Sequence, residues 1–137
     1  IEGTVRTFDE SLRTKVPQIM EKMISGISAA YDAKIDLQYH RGYNPVVNDR
    51  LVNSVIQSVV REYLGEIAVH PFQPSMGGED FSVYLSKIPG AFFMVGCGNP
   101  QKGAIFPHHH PKFQIDEDAL VIGTKLYIAV ALKLLST

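Results

Sequence analysis

Near the end of the chain, Phe106-Pro107-His108-His109-His110-Pro111-Lys112-Phe113 places three adjacent imidazoles between two prolines, just ahead of the acidic stretch Asp116-Glu117-Asp118. Imidazole is the commonest side-chain metal ligand and titrates near neutral pH. The flanking prolines restrict the backbone and reduce the entropy lost when a ring is held in place. Adjacent side chains point in different directions, so the three cannot all serve one ion. On residue types alone, the run reads equally as a polar surface turn or as a source of one metal ligand, with the other His, Asp, Glu or Cys ligands coming from elsewhere.

Three other groups could do chemistry. In Met76-Gly77-Gly78-Glu79-Asp80, two glycines let backbone N–H groups approach an anion, above all if a helix starts at Glu79 or Asp80. A plain turn with an acidic helix cap is the commoner meaning of such a string. Arg6 sits in a short alternating segment, and its guanidinium is shaped to hold a carboxylate. An edge-strand charge facing water is at least as good a reading. Cys97, between Gly96 and Gly98, reads as a small buried residue, and His40 and His70 have no partners in sequence.

These groups need elements to position them. Residues 1–8 alternate as a strand does, and Thr7 and Asp9 both offer N-cap oxygens, with Thr7-x-x-Glu10 matching a capping box. The spacing of Leu12, Val16, Ile19, Met20, Met23, Ile24 and Ile27 predicts a helix to about Tyr31, started or kinked by Pro17. Residues 33–41 alternate again, closing a strand–helix–strand unit before the loop at 42–49. Asn48 or Asp49 can cap a second amphipathic helix that Gly65 ends. A short helix over 79–85 follows. The apolar run Ala91–Gly96 predicts a central strand buried on both faces, and a last helix is expected from near Asp116 to about Leu135.

Composition bounds the function classes. The 137 residues are 45% hydrophobic with a net charge of −1, which suits a globular domain and argues against nucleic acid as a partner. No apolar run is long enough to cross a bilayer. One cysteine excludes an internal disulfide and a thiolate metal cluster, and fits a reducing, cytoplasmic setting. The chain opens at Ile1, already inside a strand-like segment and with no signal peptide, which suggests part of a longer or processed product.

Taken together, Met76-Gly77-Gly78-Glu79-Asp80-Phe81-Ser82-x-Tyr84-Leu85, Ile88-Pro89-Gly90-Ala91-Phe92-Phe93 and His109-His110-Pro111-Lys112-Phe113 resemble the C-terminal part of the metal-dependent amidohydrolases. The branch is that of hippurate hydrolase, N-acyl-amino-acid aminoacylase and the plant indole-acetyl-amino-acid hydrolases. Glu2-Gly3-Thr4-Val5-Arg6-Thr7-Phe8-Asp9 and Arg41-Gly42-Tyr43-x-Pro45-x-Val47-Asn48-Asp49 are similar to the lid region of the same family. The resemblance covers nearly the whole chain and implies an α/β fold class in two parts. Residues 1–47 would be the second half of an α+β lid and dimerisation domain, and residues 48–137 the C-terminal part of an α/β zinc-peptidase-like catalytic domain.

The function implied is hydrolysis of the amide bond of N-acyl amino acids, or related conjugates, by metal-activated water. His109 aligns with the family's last metal ligand, in a His-x-Pro-x-Phe turn. Gly77, Gly78 and Glu79 are similar to the loop lining the substrate pocket, and Arg6 to a lid arginine near the substrate carboxylate. Two divalent ions are implied for the complete enzyme, as zinc, manganese, cobalt or nickel, together with a homodimer through the lid. The family's Cys-x-His motif, Glu-Glu pair and pre-lid histidine have no counterpart here. The general-base glutamate is therefore expected upstream, no catalytic residue lies within these residues, and the chain alone should be inactive without needing to hold a metal. The competing reading is a non-catalytic interaction module or weak metal-binding module, pairing through the sheet edge of residues 1–41.

Overall fold

The computed structural model describes residues 1–136. It divides into two compact units, one of residues 1–47 with 73–87 and one of residues 48–72 with 88–137.

In the first unit, helix α1 spans Glu10–Tyr31. Its cap is Asp9, whose carboxylate accepts from the Leu12 N–H at 2.8 Å and from the Ser11 hydroxyl at 2.7 Å. Thr7 supports the cap from outside by accepting the Asp9 N–H at 3.0 Å. The capping box is not formed, because the Glu10 carboxylate turns forward to Arg13 instead. Pro17 is accommodated inside the helix, and Asp32 ends it in the left-handed region at φ 49°. Arg13 also donates to Asn44 Oδ1 at 2.6 Å and to the Gly42 carbonyl at 2.5 Å, tying the segment after residue 41 to the helix. No residue of α1 is fully buried: on the predicted apolar face Val16, Met20 and Ile24 are half-buried, and Leu12, Ile19, Met23 and Ile27 are exposed.

Helix α2, Arg50–Leu64, opens the second unit. Asp49 caps it by accepting from both Leu51 and Val52 N–H groups, and Gly65 ends it at φ 85°. Helix α4, Asp118–Leu135, packs on α2, with the short helix α3, Phe81–Leu85, lying between them in chain order and belonging to the first unit. The core joins Ile56 and Val59 of α2 to Leu126, Ala129 and Val130 of α4, with Ala91 and Phe93 against it. Val59 is the most completely buried of these, at 1% exposed.

The predicted strands need correction. Among the described residues, segments 1–8, 33–41 and 91–96 form no strand, and the α/β reading stands on helices alone here. Residues 91–97 show the physical reason. Ala91, Phe93, Val95 and Cys97 are half-buried while Phe92, Met94 and Gly96 are exposed, the period of two expected of an extended segment covered on one side. A strand is completed by a second segment that accepts and donates along its edge, and among the described residues no such ladder is formed here. Asn48 supplies a local substitute: its side-chain amide donates to the Phe92 carbonyl at 2.8 Å and accepts the Phe92 N–H at 2.9 Å. The predicted burial on both faces is therefore coverage on one. No described helix is long and apolar enough to cross a membrane.

Candidate functional site

The histidine run is a turn that assigns its three rings different surroundings. The His110 N–H donates to the Pro107 carbonyl at 3.2 Å, and the Phe113 N–H to the His110 carbonyl at 2.9 Å. The His110 ring stacks on Phe106, with centroids 4.2 Å apart and planes 10° from parallel, and its Nδ1 accepts the Lys112 N–H at 3.1 Å. His108 meets Phe113 edge-on at 4.8 Å. Both outer rings are thus engaged in holding the turn. His109 is exposed, and its imidazole makes no hydrogen bond or ring contact among the described residues. Its backbone sits at φ 67°, in the left-handed region that non-glycine residues seldom adopt. Asp32, the other such residue, is explained by its place at a helix end, whereas His109 lies in no helix. A residue held in a sparsely populated conformation, with a free polar tip, is a candidate for function.

The base of this loop is fastened. Asn99 and Ala104 exchange backbone hydrogen bonds of 2.9 and 3.0 Å, and the Asp116 N–H donates to the Cys97 carbonyl at 2.8 Å. Lys102 Nζ reaches both Asp116 Oδ1 and Asp118 Oδ2 at 2.6 Å. Asn99 Nδ2 completes the clip on Asp116 Oδ2 at 2.7 Å. The Lys102 ammonium, followed by the Asn99 amide, holds the Asp116 carboxyl down at about 2, and the same two aspartates raise the Lys102 pKa. Sequence reading missed this clip and took Asp116 for the start of α4, which begins two residues later. Its partners lie 14 to 17 residues apart with no periodic signal between them. A shallow depression of about 270 Å³ lies beside the turn, lined by Cys97, Ile105, Phe106, His108 and Phe113 among others, and not by His109.

In the first unit, two of the predicted residues meet. A Cβ added to Gly78 would lie 3.2 Å from Arg6 Nη1, so the guanidinium rests against the glycine loop. Glu79 does not neutralise it: the Glu79 carboxylate accepts the Phe81 N–H at 3.1 Å and its carbonyl accepts from the Ser82 hydroxyl at 2.9 Å. Gly77 is open on all sides except for the Ser75 hydroxyl at 3.6 Å. An exposed guanidinium beside unobstructed backbone suits a carboxylate.

For a metal, the donor chemistry suits a single position. His109 offers ring nitrogens free of intramolecular bonds. No three of His, Cys, Asp and Glu come together to hold an ion among the described residues.

Comparison with known proteins agrees with the residue pattern. The model of peptidase family M20/M25/M40 matches residues 3–133. The chain is 35% identical over 130 residues to a putative amidohydrolase, YhaA, of Bacillus subtilis, covering 95% of this chain and 33% of that protein. It is 36% identical to an N-acetylcysteine deacetylase of the same organism, covering 100% and 34%. Among solved structures, the Bacillus subtilis YXEP protein, described as a dinuclear metal-binding peptidase, superimposes with a TM-score of 0.81 at 35% identity, covering 98% of this chain and 36% of that one. The chain spans about a third of the length of the relatives it matches.

Proposed function

The chain belongs to peptidase family M20/M25/M40, and on that premise we propose that it is the C-terminal part of a metal-dependent amidohydrolase that cleaves N-acyl amino acids. Relatives named amidohydrolase, N-acetylcysteine deacetylase and N-acetyldiaminopimelate deacetylase support the substrate class. The observation that carries the reading is His109: an unbonded imidazole, in a left-handed backbone conformation, between two histidines whose rings are used to hold the turn.

In this reading His109 contributes one ligand to a centre completed by residues outside this chain. The chemistry such divalent ions supply is acidification of a water and neutralisation of charge on the amide oxygen. Arg6 holds the carboxylate of the amino-acid part, and the absence of side chains at Gly77 and Gly78 lets that group approach the backbone beside it. Glu79 fixes the loop through its bond to Phe81 rather than by touching substrate. Positioning the carboxylate orients the scissile amide, which is where the binding energy becomes rate. Residues 1–47 form part of the lid through which two copies pair, and residues 48–137 part of the catalytic domain. A reducing, cytoplasmic setting suits a protein whose single cysteine is a free thiol.

The test is hydrolysis of an N-acetyl amino acid by the pure chain and by a complete polypeptide containing it. The chain alone is expected to be inactive and the complete enzyme active, with His109→Ala lowering its metal content. Turnover by the pure 137-residue chain, or unchanged metal content after His109→Ala, would sink the reading.

A further inference from the structure

His109 makes no side-chain bond of its own, so its place is set by the loop that carries it. That loop leaves the chain at Cys97 and returns at Asp116, whose N–H donates to the Cys97 carbonyl at 2.8 Å. Its apex is stiffened by the Phe106–His110 stack and the His108–Phe113 edge contact. Its base is held by the Asp116 N–H on the Cys97 carbonyl, by the Asn99 amide on Asp116, and by a lysine that bonds two carboxylates at once. Lys102, on the incoming arm, bonds Asp116 and Asp118 on the outgoing arm, each at 2.6 Å. Gln114 Nε2 adds a bond to the Lys102 carbonyl at 3.1 Å, so the lysine is gripped at both its backbone and its tip. The Asp116 side chain is only 15% exposed, and the carboxylate has little water to replace a lost partner. Without the ammonium, Asp116 keeps the Asn99 amide and its backbone bond to Cys97, but the two carboxylates on the outgoing arm lose the cation they share and the clamp on the loop loosens.

The geometry points to Lys102 as a positioning residue for His109: its ammonium closes the base of the histidine loop and thereby sets where the imidazole stands. This rests on His109 being a ligand, as proposed above. Lys102 itself touches neither metal nor substrate. Groups hydrogen-bonded directly to a ligand are ordinarily worth ten- to a hundredfold in metal affinity, and Lys102, which acts on His109 through the loop, belongs at the lower end of that range.

The experiment is zinc affinity by chelator competition in the complete metal-loaded enzyme, with melting temperature measured in parallel. Lys102→Met is expected to weaken zinc binding by about tenfold, and Lys102→Arg, which keeps the charge and its reach, to recover most of that loss. Val59→Ala, a core truncation, serves as the stability control: it should lower the melting temperature and leave zinc affinity unchanged at temperatures where the protein is folded. Wild-type zinc affinity in Lys102→Met alongside weakened affinity in His109→Ala would overturn the positioning role alone. Unchanged affinity in His109→Ala would overturn the ligand assignment, and this inference with it.

Discussion

Gly78 and Gly103 are glycines for different reasons, and substitution should separate them. Gly103 stands at φ 75°, and an added Cβ would lie 2.8 Å from Gln114 Nε2, inside the loop clip. Gly103→Ala should cost about 1–2 kcal/mol from the left-handed backbone alone, read as a lower denaturation midpoint. At Gly78 the obstruction is the far end of the flexible Arg6 side chain. Gly78→Ala should therefore leave stability unchanged, yet in the complete enzyme raise KM for N-acyl amino acids and not for their carboxamides. Equal KM changes for both substrates would refute the contact between Arg6 and carboxylate. Asp116 gives a pH signature. Its carboxyl sits at about 2 against an ordinary 3.8, so the ionised clip favours folding above about pH 4 and loses that contribution as pH falls towards 2. Melting temperature against pH should show this acid limb in the wild type and a shallower one in Asp116→Asn.

At the scale of elements, the helices were legible because their signals are local. Asp49 and Gly65 bracket α2 within a turn of its ends, and the apolar spacing between them needs no distant partner to be recognised. Asp49→Ala removes the acceptor of two N–H groups and should cost about 1 kcal/mol. In α1, Gly26 faces open space, and Gly26→Ala should stabilise by about 0.5–1 kcal/mol. A thermal melt of each variant checks both. Strands 1–8 and 33–41 were read from alternation and 91–96 from a continuous apolar run, but such patterns only say which side chains seek cover. Whether a ladder forms depends on a second segment presenting its backbone at the right spacing, and that is not a property of the segment itself. Asp116 shows the converse error. It reads in sequence as the start of the last helix, while it lies ahead of that helix and its actual partners are Lys102 and Asn99 across the loop.

At the scale of the whole molecule, much apolar surface stays uncovered. Ile19, Met23 and Ile27 of α1 and Val121, Ile128 and Leu132 of α4 are all exposed, as are Phe92 and Met94. A helix apolar on most of its circumference, as α4 is, ordinarily lies in an interior. The isolated chain should bind a hydrophobic dye and self-associate as its concentration rises, measured by sedimentation velocity. A monomer that leaves the dye unbound would contradict the surface described here. The amino-acid sequence alone determined the helices, their caps and the pattern of motifs by which the family can be recognised, since each depends on residues within a turn or a short string of one another. Only the tertiary structure decided which histidine is free, which carboxylate closes the loop beneath it, and that Arg6 lies on Gly78. The last two pairings join residues far apart in the chain, the ring contacts that leave His109 free depend on how the turn folds back on itself, and no local period records either.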